Sequence, residues 1–284
     1  MTGKTANRAG IVGWPVAQSL SPMLHGYWLK QYGIDGSYVA LAVRPEDFAR
    51  TIAGLPAQGF AGVNVTIPHK EAAYVLAGTR DEDARASGAV NLLVFATGAV
   101  HGHNTDARGF SASLKEALGP EAARAGPAAV LGAGGAARAV VLALLRDGAP
   151  EIRLVNRTQS RAQELATSFA GKAIMKILPW GDWRQAFGGA RLLVNTTSLG
   201  MKGKDALAVP LDELPAEAAV TDIVYNPLET DLLRRARARG HRTVDGLGML
   251  MHQAVPAFAA WFGVTPEVTP ALRSVLEEAL RARA

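Results

Sequence analysis

The sequence predicts an α/β protein with two domains, and three observations support this prediction. Predicted strands and helices alternate along almost the whole chain, which is the pattern of a sheet layered with helices. From Ala128 onward the predicted strands are short and entirely apolar, which favours a parallel sheet buried on both faces. A break rich in glycine, proline and alanine, GPEAARAGP, lies just before that change. We therefore expect a domain boundary near Asp106 and a return of the chain to the first domain near Asp245.

In the first third of the chain, each predicted strand is followed by a predicted helix. The strands are expected at Gly10–Trp14, Ser37–Val43 and Gly59–Ile67, and the helices at Pro22–Tyr32, Pro45–Gly54 and His69–Ala77. Two more strands, AVNLLVF and GAVHGHN, are predicted on either side of a turn at Ala96-Thr97-Gly98.

The second part of the chain begins with an amphipathic helix that is predicted to follow Asp106 and to extend to Leu118. The buried strands that follow are read from AAVLGAG, EIRLVN, RLLVNTT and AVTDIVY, with HRTVDG as one more. Helices predicted at Gly246–Phe262 and from Pro266 to the end close the chain.

Composition excludes several classes of protein. Of the 284 residues, 49% are apolar and 19% charged, as in ordinary soluble globular proteins. The lack of cysteine excludes disulfides and thiolate metal sites and favours the cytoplasm, and no other metal site is predicted.

The net charge of +5 indicates an anionic partner, but the basic residues are scattered, which favours a phosphate-bearing small molecule over nucleic acid. No targeting segment is predicted, and the most apolar window, 128–145, is interrupted by Arg138 and glycines and predicts no membrane span.

The clearest motif is the stretch AAVLGAGGAARAVVLALL, in which a buried strand runs through a glycine-rich turn into a helix. Gly132, Gly134 and Ala137 match the G-x-G-x-x-A form of the dinucleotide fingerprint. Gly132 allows a tight turn, Gly134 lets a pyrophosphate approach bare backbone, and the helix N-terminus faces the anion. A glycine-rich turn without a ligand is the alternative, but strand, motif and helix occur in the required order. The cofactor-binding residues expected here are Gly132, Ala133, Gly134, Gly135 and Ala136.

The end of the next strand indicates which dinucleotide is bound. An NAD enzyme usually ends this strand with a carboxylate that holds the ribose 2′-hydroxyl. Here EIRLVNRTQSR offers Asn156, Arg157, Thr158 and Arg161, and a guanidinium can bind a 2′-phosphate with forked hydrogen bonds. Exposure on a surface loop is a fair alternative for Arg161 and a weaker one for Arg157. The sequence therefore predicts NADP rather than NAD.

Polar residues cluster at strand ends and helix starts outside this motif. The clusters are QSLSP with Ser19 and Ser21, NVTIPHK with Asn64, Thr66 and Lys70, GAVN with Asn91, and NTD with Asn104, Thr105 and Asp106. Most are uncharged donors or acceptors, which suits a small substrate rich in hydroxyls. Singly, each has an equally good structural alternative: Ser21 as a helix cap before Pro22, Asn91 as a turn residue, and Asp106 as a cap for a helix from Ala107. Jointly they favour a site, because its two charged members, Lys70 and Asp106, would make an acid–base pair.

Several blocks, taken together, resemble the shikimate dehydrogenase family in order and across nearly the whole chain. They are QSLSPMLH, GVNVTIPHK, GAVN, NTDARGF, GAGGAAR, NRT, NTTSLGM, DIVYNPLET and DGLGMLMHQA. The resemblance implies reversible NADPH-dependent reduction of 3-dehydroshikimate to shikimate, a step of the chorismate pathway to the aromatic amino acids. It also implies an N-terminal substrate domain on a mixed α/β sheet (1–106), a Rossmann-type NADP domain (107–245), and C-terminal helices (246–284) that return to the first domain.

The resemblance also assigns roles by position. Ser19 and Ser21 would hold the substrate carboxylate, and Lys70 would transfer the proton, with Asp106 as its partner. Asn64 belongs to the same substrate site. Other residues implied at the substrate are Thr66, Asn91, Asp106, Tyr225 and Gln253; those implied at the cofactor, besides the glycine turn and 156–161, are Ile223 and Gly246.

Some positions depart from the family pattern and keep alternatives open. Gln18, Gly26, Leu92 and His103 replace residues that are common in the family, but none of these changes removes a charged group. A quinate or aminoshikimate dehydrogenase is the alternative enzyme, and a non-catalytic NADP-binding sensor is the alternative class. A sensor would lack the charged pair. The expected partners are a small-molecule substrate and at most a second copy of the chain, as a monomer or homodimer.

Overall fold

A computed structural model of the chain describes residues 7–96, 98–171 and 174–283 and divides the chain into two compact units. The first unit comprises the chain up to Thr105 together with Gln253–Leu276, and the second comprises Asp106–His252 and the segment from Glu277. Among the described residues, no helix is long and apolar enough to cross a membrane.

The first unit is built on a mixed six-stranded sheet in the order β2-β1-β3-β5-β6-β4. β1 pairs in parallel with β2 and β3, whereas β5 is antiparallel to both β3 and β6. The strands are β1 (Arg8–Gly13), β2 (Ser37–Ala42), β3 (Phe60–Val65), β4 (Thr79–Arg80), β5 (Leu92–Ala96) and β6 (Ala99–His103). The helices are α1 (Ser21–Gln31), α2 (Phe48–Gly54), α3 (Lys70–Leu76) and α4 (Glu82–Ser87). The mixed sheet expected from the family resemblance is therefore confirmed.

The strands predicted for this unit are confirmed, with shifts of one or two residues at most ends. In β3, Val63 and Val65 join a core cluster with Phe48 and Phe60, and Asn64 between them is also buried. Residue 97, in the predicted turn after β5, lies outside the described residues. The two-residue strand β4 and the short helix α4 were not predicted, because both are too short for a hydrophobic period to show.

The capping prediction for α1 is wrong. Ser21 is the first helical residue rather than the cap, and the residue at the cap position, Leu20, offers no side-chain hydrogen bond. Instead, the Ser21 amide donates to Ser19 Oγ at 3.2 Å, so Ser19 satisfies one of the free amides of the first turn.

The second unit contains a fully parallel sheet in the order β12-β11-β10-β7-β8-β9. In chain order this is 6-5-4-1-2-3, the doubly wound order of a Rossmann-type domain. Its strands are β7 (Ala128–Leu131), β8 (Glu151–Asn156), β9 (Ile174–Pro179), β10 (Leu192–Asn195), β11 (Ala219–Asp222) and β12 (Thr243–Val244). Its helices are α5 (Asp106–Leu118), α6 (Gly135–Arg146), α7 (Gln159–Ser168), α8 (Trp183–Phe187) and α9 (Asp231–Ala238).

The C-terminal segment returns to the first unit, as predicted for the fold. It forms α10 (Gly246–Phe262) and α11 (Pro270–Arg281). Trp261 in α10 donates from Nε1 to the Leu93 carbonyl oxygen at 3.2 Å, and Gly62 makes room for its ring, since a Cβ there would lie 2.2 Å from Nε1. The last helix begins four residues later than the predicted Pro266, because Thr269 caps it by accepting from the Leu272 amide and Pro270 takes its first position.

Candidate active site

Three of the predicted substrate residues form one buried hydrogen-bonded network in the first unit. Asn64 Nδ2 donates to the Asn91 carbonyl oxygen at 3.2 Å, and Asn91 Nδ2 donates to Gln253 Oε1 at 3.4 Å. Thr105 completes the network, since its amide donates to Asn91 Oδ1 at 2.8 Å and its Oγ1 accepts from Asn91 Nδ2 at 2.9 Å. All four side chains are at most 9% exposed. Buried amides held in this way have fixed donor and acceptor directions, which is what recognition of several hydroxyls requires.

The position of Asn91 follows from the sheet. Its backbone amide donates to the His103 carbonyl oxygen at 3.0 Å, and its carbonyl oxygen accepts from the Val65 amide at 2.8 Å. Asn91 is thus held where the ends of β3, β5 and β6 meet. The alternative that Asn91 only satisfies a local turn is not supported, because its side chain bonds to residues distant in sequence.

Ser21 lies against a tyrosine that the sequence did not single out. The Tyr38 hydroxyl donates to Asn64 Oδ1 at 2.7 Å, and the Ser21 side chain faces the same hydroxyl. Burial raises the pKa of the Tyr38 hydroxyl, and the hydrogen bond from Ser21 opposes part of that rise. Tyr38 therefore stays a neutral phenol that connects Ser21 to Asn64.

Lys70 stands at the start of α3, directly after a well-anchored histidine. His69 is 1% exposed, its Nε2 lies 2.7 Å from the Val43 carbonyl oxygen, and its ring stacks on Phe48 at 4.7 Å. The Lys70 carbonyl oxygen accepts from the Val90 amide at 3.0 Å, which ties the backbone of Lys70 to the segment that carries Asn91. Thr66 lies at the end of β3 with its amide bonded to the Val12 carbonyl oxygen at 2.9 Å. Both predicted residues thus project from rigid backbone at the carboxyl end of β3.

Asp106 begins α5 and is 5% exposed. It follows Thr105 directly, so the network around Asn91 fixes the backbone that leads into this helix. The helix begins at Asp106 itself rather than at Ala107, which makes Asp106 a first-turn residue and not the cap considered from the sequence.

The glycine-rich turn of the second unit has the geometry of an anion cradle. Gly132 follows β7 with φ of +110°, in the region that favours glycine, and a Cβ on it would lie 2.6 Å from Thr196 Oγ1. A Cβ at Gly134 or Gly135, in contrast, would meet no described atom within 4 Å. Ala133 lies in the turn, and Ala136 is the second residue of α6, which begins at Gly135. The bare backbone of Gly134 and Gly135 is thus open to a pyrophosphate at the helix N-terminus.

The turn lies where the strand order of the parallel sheet reverses, between β7 and β10. Thr196, at the end of β10, donates from both its amide and its Oγ1 to the Leu131 carbonyl oxygen, at 2.9 and 2.7 Å. In open α/β sheets, ligands bind at the carboxyl ends of the strands at this reversal.

The end of β8 fits a ribose that carries a 2′-phosphate. The strand ends at Asn156, whose Nδ2 donates to the Thr158 carbonyl oxygen at 2.7 Å and closes the turn into α7. Arg157, Thr158 and Arg161 are exposed, and neither arginine forms an ion pair with any residue that the structure describes. Two guanidinium groups without a carboxylate partner at this strand end suit a phosphate dianion.

A buried carboxylate fixes the loop that carries Ile223 and Tyr225. Asp222 ends β11 and accepts hydrogen bonds from Asn195 Nδ2 (2.9 Å), the Val224 amide (3.0 Å) and Thr230 Oγ1 (2.8 Å). Burial raises the pKa of Asp222 to about 6, while these three donors favour its charged form. Gly246 packs on the same loop, since a Cβ there would lie 2.2 Å from the Ile223 carbonyl oxygen. Ile223 and Gly246, both predicted at the cofactor, are therefore in contact with one another.

Fold and site together define a two-domain, dinucleotide-dependent oxidoreductase. The Rossmann-type sheet with its glycine-rich turn has the features of a dinucleotide-binding site. The mixed-sheet unit with its buried amide network and lysine has those of a substrate site.

Comparisons with known proteins identify the family within this class. Three family models match: the shikimate dehydrogenase substrate binding domain at residues 11–93, shikimate / quinate 5-dehydrogenase at 118–199, and the shikimate 5'-dehydrogenase C-terminal domain at 246–276. The shikimate dehydrogenase (NADP(+)) of Rhodospirillum rubrum is 54% identical over 97% of this chain and 98% of its own. The chain belongs to the shikimate dehydrogenase family, as the sequence blocks indicated.

Solved structures agree with this assignment. The shikimate 5-dehydrogenase of Thermus thermophilus, in complex with NADP(H) and shikimate, is 38% identical, with a TM-score of 0.84 over 98% of this chain and 99% of its own. The quinate dehydrogenase of Corynebacterium glutamicum, in complex with NAD, is 32% identical, with a TM-score of 0.87 over 95% of this chain and 98% of its own.

Proposed function

We propose that the chain is an NADP-dependent shikimate dehydrogenase that reversibly reduces 3-dehydroshikimate to shikimate, a step of the chorismate pathway to aromatic amino acids. The observation that carries this proposal is the buried network of Asn64, Asn91, Thr105 and Gln253, which presents oriented amides suited to a polyhydroxylated ring. Family membership supports the identity of that ring, because relatives about half identical over nearly the full length are shikimate dehydrogenases (NADP(+)).

The proposed substrate residues divide into two groups. Ser19 and Ser21 donate hydroxyls to the carboxylate. The hydroxyl groups are bound by Asn64, Thr66, Asn91, Asp106, Tyr225 and Gln253. Apart from Asp106, all of these groups are uncharged, so selectivity would rest on the directions of hydrogen bonds, which reject analogues that leave a buried polar group unpaired.

Lys70 and Asp106 are the proposed catalytic residues. As the ketone is reduced, negative charge develops on its oxygen, and the Lys70 ammonium stabilises that charge and gives its proton to the oxygen. Asp106 orients the lysine side chain. In the reverse direction, neutral Lys70 accepts the hydroxyl proton. After the reduction, neutral Lys70 takes a proton from solvent; after the oxidation, the Lys70 ammonium releases a proton to solvent.

The residues at the proposed cofactor site fit NADP. Gly132 to Ala136 would hold the pyrophosphate on backbone amides, Asn156 to Thr158 with Arg161 would hold the 2′-phosphate, and Ile223 and Gly246 would border the nicotinamide. When bound, NADPH supplies the hydride of the reduction. The protein supplies orientation of the ring and exclusion of water.

The proposal extends to organisation and location. Residues 1–106 would form the substrate domain, 107–245 the NADP domain, and 246–284 the segment that completes the first. A cytoplasmic location agrees with the absence of cysteine and the biosynthetic family, and the chain would act as a monomer or homodimer. Cell fractionation and the mass of the purified protein in solution would test these points.

A steady-state assay of shikimate and quinate, each with NADP and with NAD, tests the function. We expect the highest kcat/KM for shikimate with NADP, and a product with the mass of 3-dehydroshikimate. Higher kcat/KM with quinate would favour the quinate alternative, for which the 32%-identical quinate dehydrogenase gives a precedent. Binding of NADPH without turnover of either acid would favour the sensor alternative and overturn the proposal.

A further inference from the structure

Tyr38 is a buried residue next to the proposed substrate site, and its hydroxyl bonds to Asn64, a residue of that site. β2, which carries Tyr38, and β3, which carries Asn64, flank β1 on opposite sides. The Tyr38 side chain therefore crosses β1 to place its hydroxyl 2.7 Å from Asn64 Oδ1. Register explains how it fits: Ala9 of β1 pairs with both Tyr38 and Gly62, so two small residues leave space on this face of the sheet.

The Tyr38 ring is held in an aromatic enclosure. His25 stacks on it face to face, with ring centroids 4.0 Å apart and an interplanar angle of 4°, and Trp261 lies 6.0 Å away. His25 is fully buried, and neither of its ring nitrogens has a hydrogen-bond partner among the described residues. Burying a polar ring without a hydrogen-bond partner costs free energy. The contribution of His25 here is its flat ring, which stacks on Tyr38 and restricts the plane of the phenol.

The donors and acceptors around Tyr38 determine where its hydroxyl proton points. Asn64 Oδ1 can only accept, so the Tyr38 hydroxyl gives its proton to Asn64 and fixes the amide orientation, with Nδ2 directed to the Asn91 carbonyl oxygen. The Ser21 hydroxyl, which faces the Tyr38 oxygen, is then the group that would donate to it. One phenol thus sets the orientation of a residue proposed at the carboxylate and a residue proposed at the hydroxyls.

We propose that Tyr38 is a positioning residue for substrate recognition: it orients the Ser21 hydroxyl and the Asn64 amide without touching the substrate. This inference rests on the proposed function, because it assigns Ser21 and Asn64 to the substrate. It makes the two ends of the substrate site depend on one another through a residue beneath them.

Kinetics of Tyr38→Phe provide the first test, because this change removes only the hydroxyl and keeps the ring on His25. We expect KM for shikimate to rise about tenfold, with kcat within about threefold and KM for NADP within about twofold of the parent. Tyr32→Phe is the matched control: its hydroxyl also holds one hydrogen bond in the first unit, accepting from the Glu267 amide at 3.2 Å. Equal shikimate KM values for the two variants would overturn the inference.

A double-mutant cycle tests whether Tyr38 acts through Ser21. If it does, the rise in KM for the double variant, Ser21→Ala with Tyr38→Phe, should be smaller than the product of the rises for the two single variants. Fully multiplicative effects would contradict positioning and indicate independent contributions.

A spectroscopic measurement keeps the test valid even if Tyr38→Phe folds poorly. The chain has five tyrosines, so 3-fluorotyrosine incorporation gives five ¹⁹F resonances, and the Tyr38 signal can be assigned by elimination from the four other Tyr→Phe variants. Shikimate should shift the Tyr38 resonance and leave that of Tyr32 in place. If the protein turns over shikimate but the Tyr38 resonance does not shift when shikimate binds, the inference is overturned and the proposed function stands. Absence of shikimate turnover by the unmutated protein overturns the proposed function and the inference with it.

Discussion

The two units prepare their proposed ligand sites with different parts of the chain. In the first unit, side chains hold one another: Asn64, Asn91 and Gln253 are linked in a buried network, and Tyr38 supports it. In the second unit, the backbone forms the cradle, through a positive φ at Gly132 and open backbone at Gly134. Side-chain networks give directional recognition of a particular set of hydroxyls, whereas backbone amides recognise any pyrophosphate. The difference predicts that substitutions at Lys70 and in the amide network change substrate use and chemistry, whereas substitutions in the glycine-rich turn and at the end of β8 change cofactor affinity.

The largest expected effect is on chemistry in the first unit. Lys70→Met keeps most of the stem's volume and removes charge and proton, so kcat should fall by about 10²–10⁴, the usual contribution of a general acid. KM for shikimate should change far less, because the contribution lies in the transition state. Lys30→Met, at an exposed position at the end of α1, is the control and should leave kcat unchanged. Turnover of Lys70→Met within a few-fold of the parent would discard this mechanism.

The next effect is on cofactor selectivity in the second unit. Arg157→Ala should cost about 1.5–3 kcal/mol of NADP affinity, because one charge-assisted hydrogen bond to the 2′-phosphate is lost. KM for NAD and for shikimate should be little changed. Arg184→Ala, at an exposed position on α8, is the control. Equal use of NAD and NADP by the unmutated protein would contradict this role of Arg157.

A third effect concerns the pH dependence of stability in the first unit. Burial lowers the pKa of His25 from 6.5 to about 3, so between these values the unfolded chain binds a proton that the folded chain does not. The stability associated with neutral His25 is therefore complete above about pH 6.5 and is lost as the pH falls, by up to about 1.4 kcal/mol per pH unit.

Denaturant unfolding at pH 7.5, 6.5 and 5.5 would measure this effect. The difference in unfolding free energy between the parent and His25→Phe should shift in favour of the variant as the pH falls, because phenylalanine keeps the aromatic stack without a titrating group. A difference independent of pH would show that His25 titrates alike in the folded and unfolded states.

The smallest predicted effect is at the carboxylate end of the substrate. Ser19→Ala should weaken shikimate binding by about 1 kcal/mol, roughly a fivefold rise in KM, because one neutral donor is lost. Turnover should be nearly unchanged. Ser274→Ala, on the exposed side of α11, is the control. An unchanged KM with collapsed turnover would assign Ser19 to chemistry instead.

The sequence predicted those parts of the fold whose signals are local. Apolar runs such as AAVL and LLVN identified the buried parallel strands, and a glycine fingerprint identified the turn at the strand-order reversal. The strand β9 was missed because it lies at the edge of the sheet, where Ile174 is 61% exposed and no buried run marks it. The last helix was placed too early because two Thr-Pro pairs, at 265–266 and 269–270, give the same start signal, and only Thr269 is the cap.

The sequence predicted those site residues that lie in local motifs. It did not predict those whose role depends on contacts between distant parts of the chain. Asn64, Lys70 and Asn91 stand out as polar residues at strand ends. Tyr38 does not, because its role depends on β1 lying between β2 and β3, and its partner Asn64 is 26 residues away. Asp222 likewise becomes informative only when its donors Asn195 and Thr230 are brought to it by the fold.

The NADPH dissociation constant of Lys70→Met, from a fluorescence titration beside its kcat, tests the separation of the two sites most directly. If Lys70 contributes to chemistry and the glycine-rich turn binds the cofactor, the dissociation constant should stay within about twofold of the parent while kcat falls by at least about a hundredfold. A loss of NADPH affinity as large as the loss of turnover would contradict the account, because Lys70 would then act through the cofactor site.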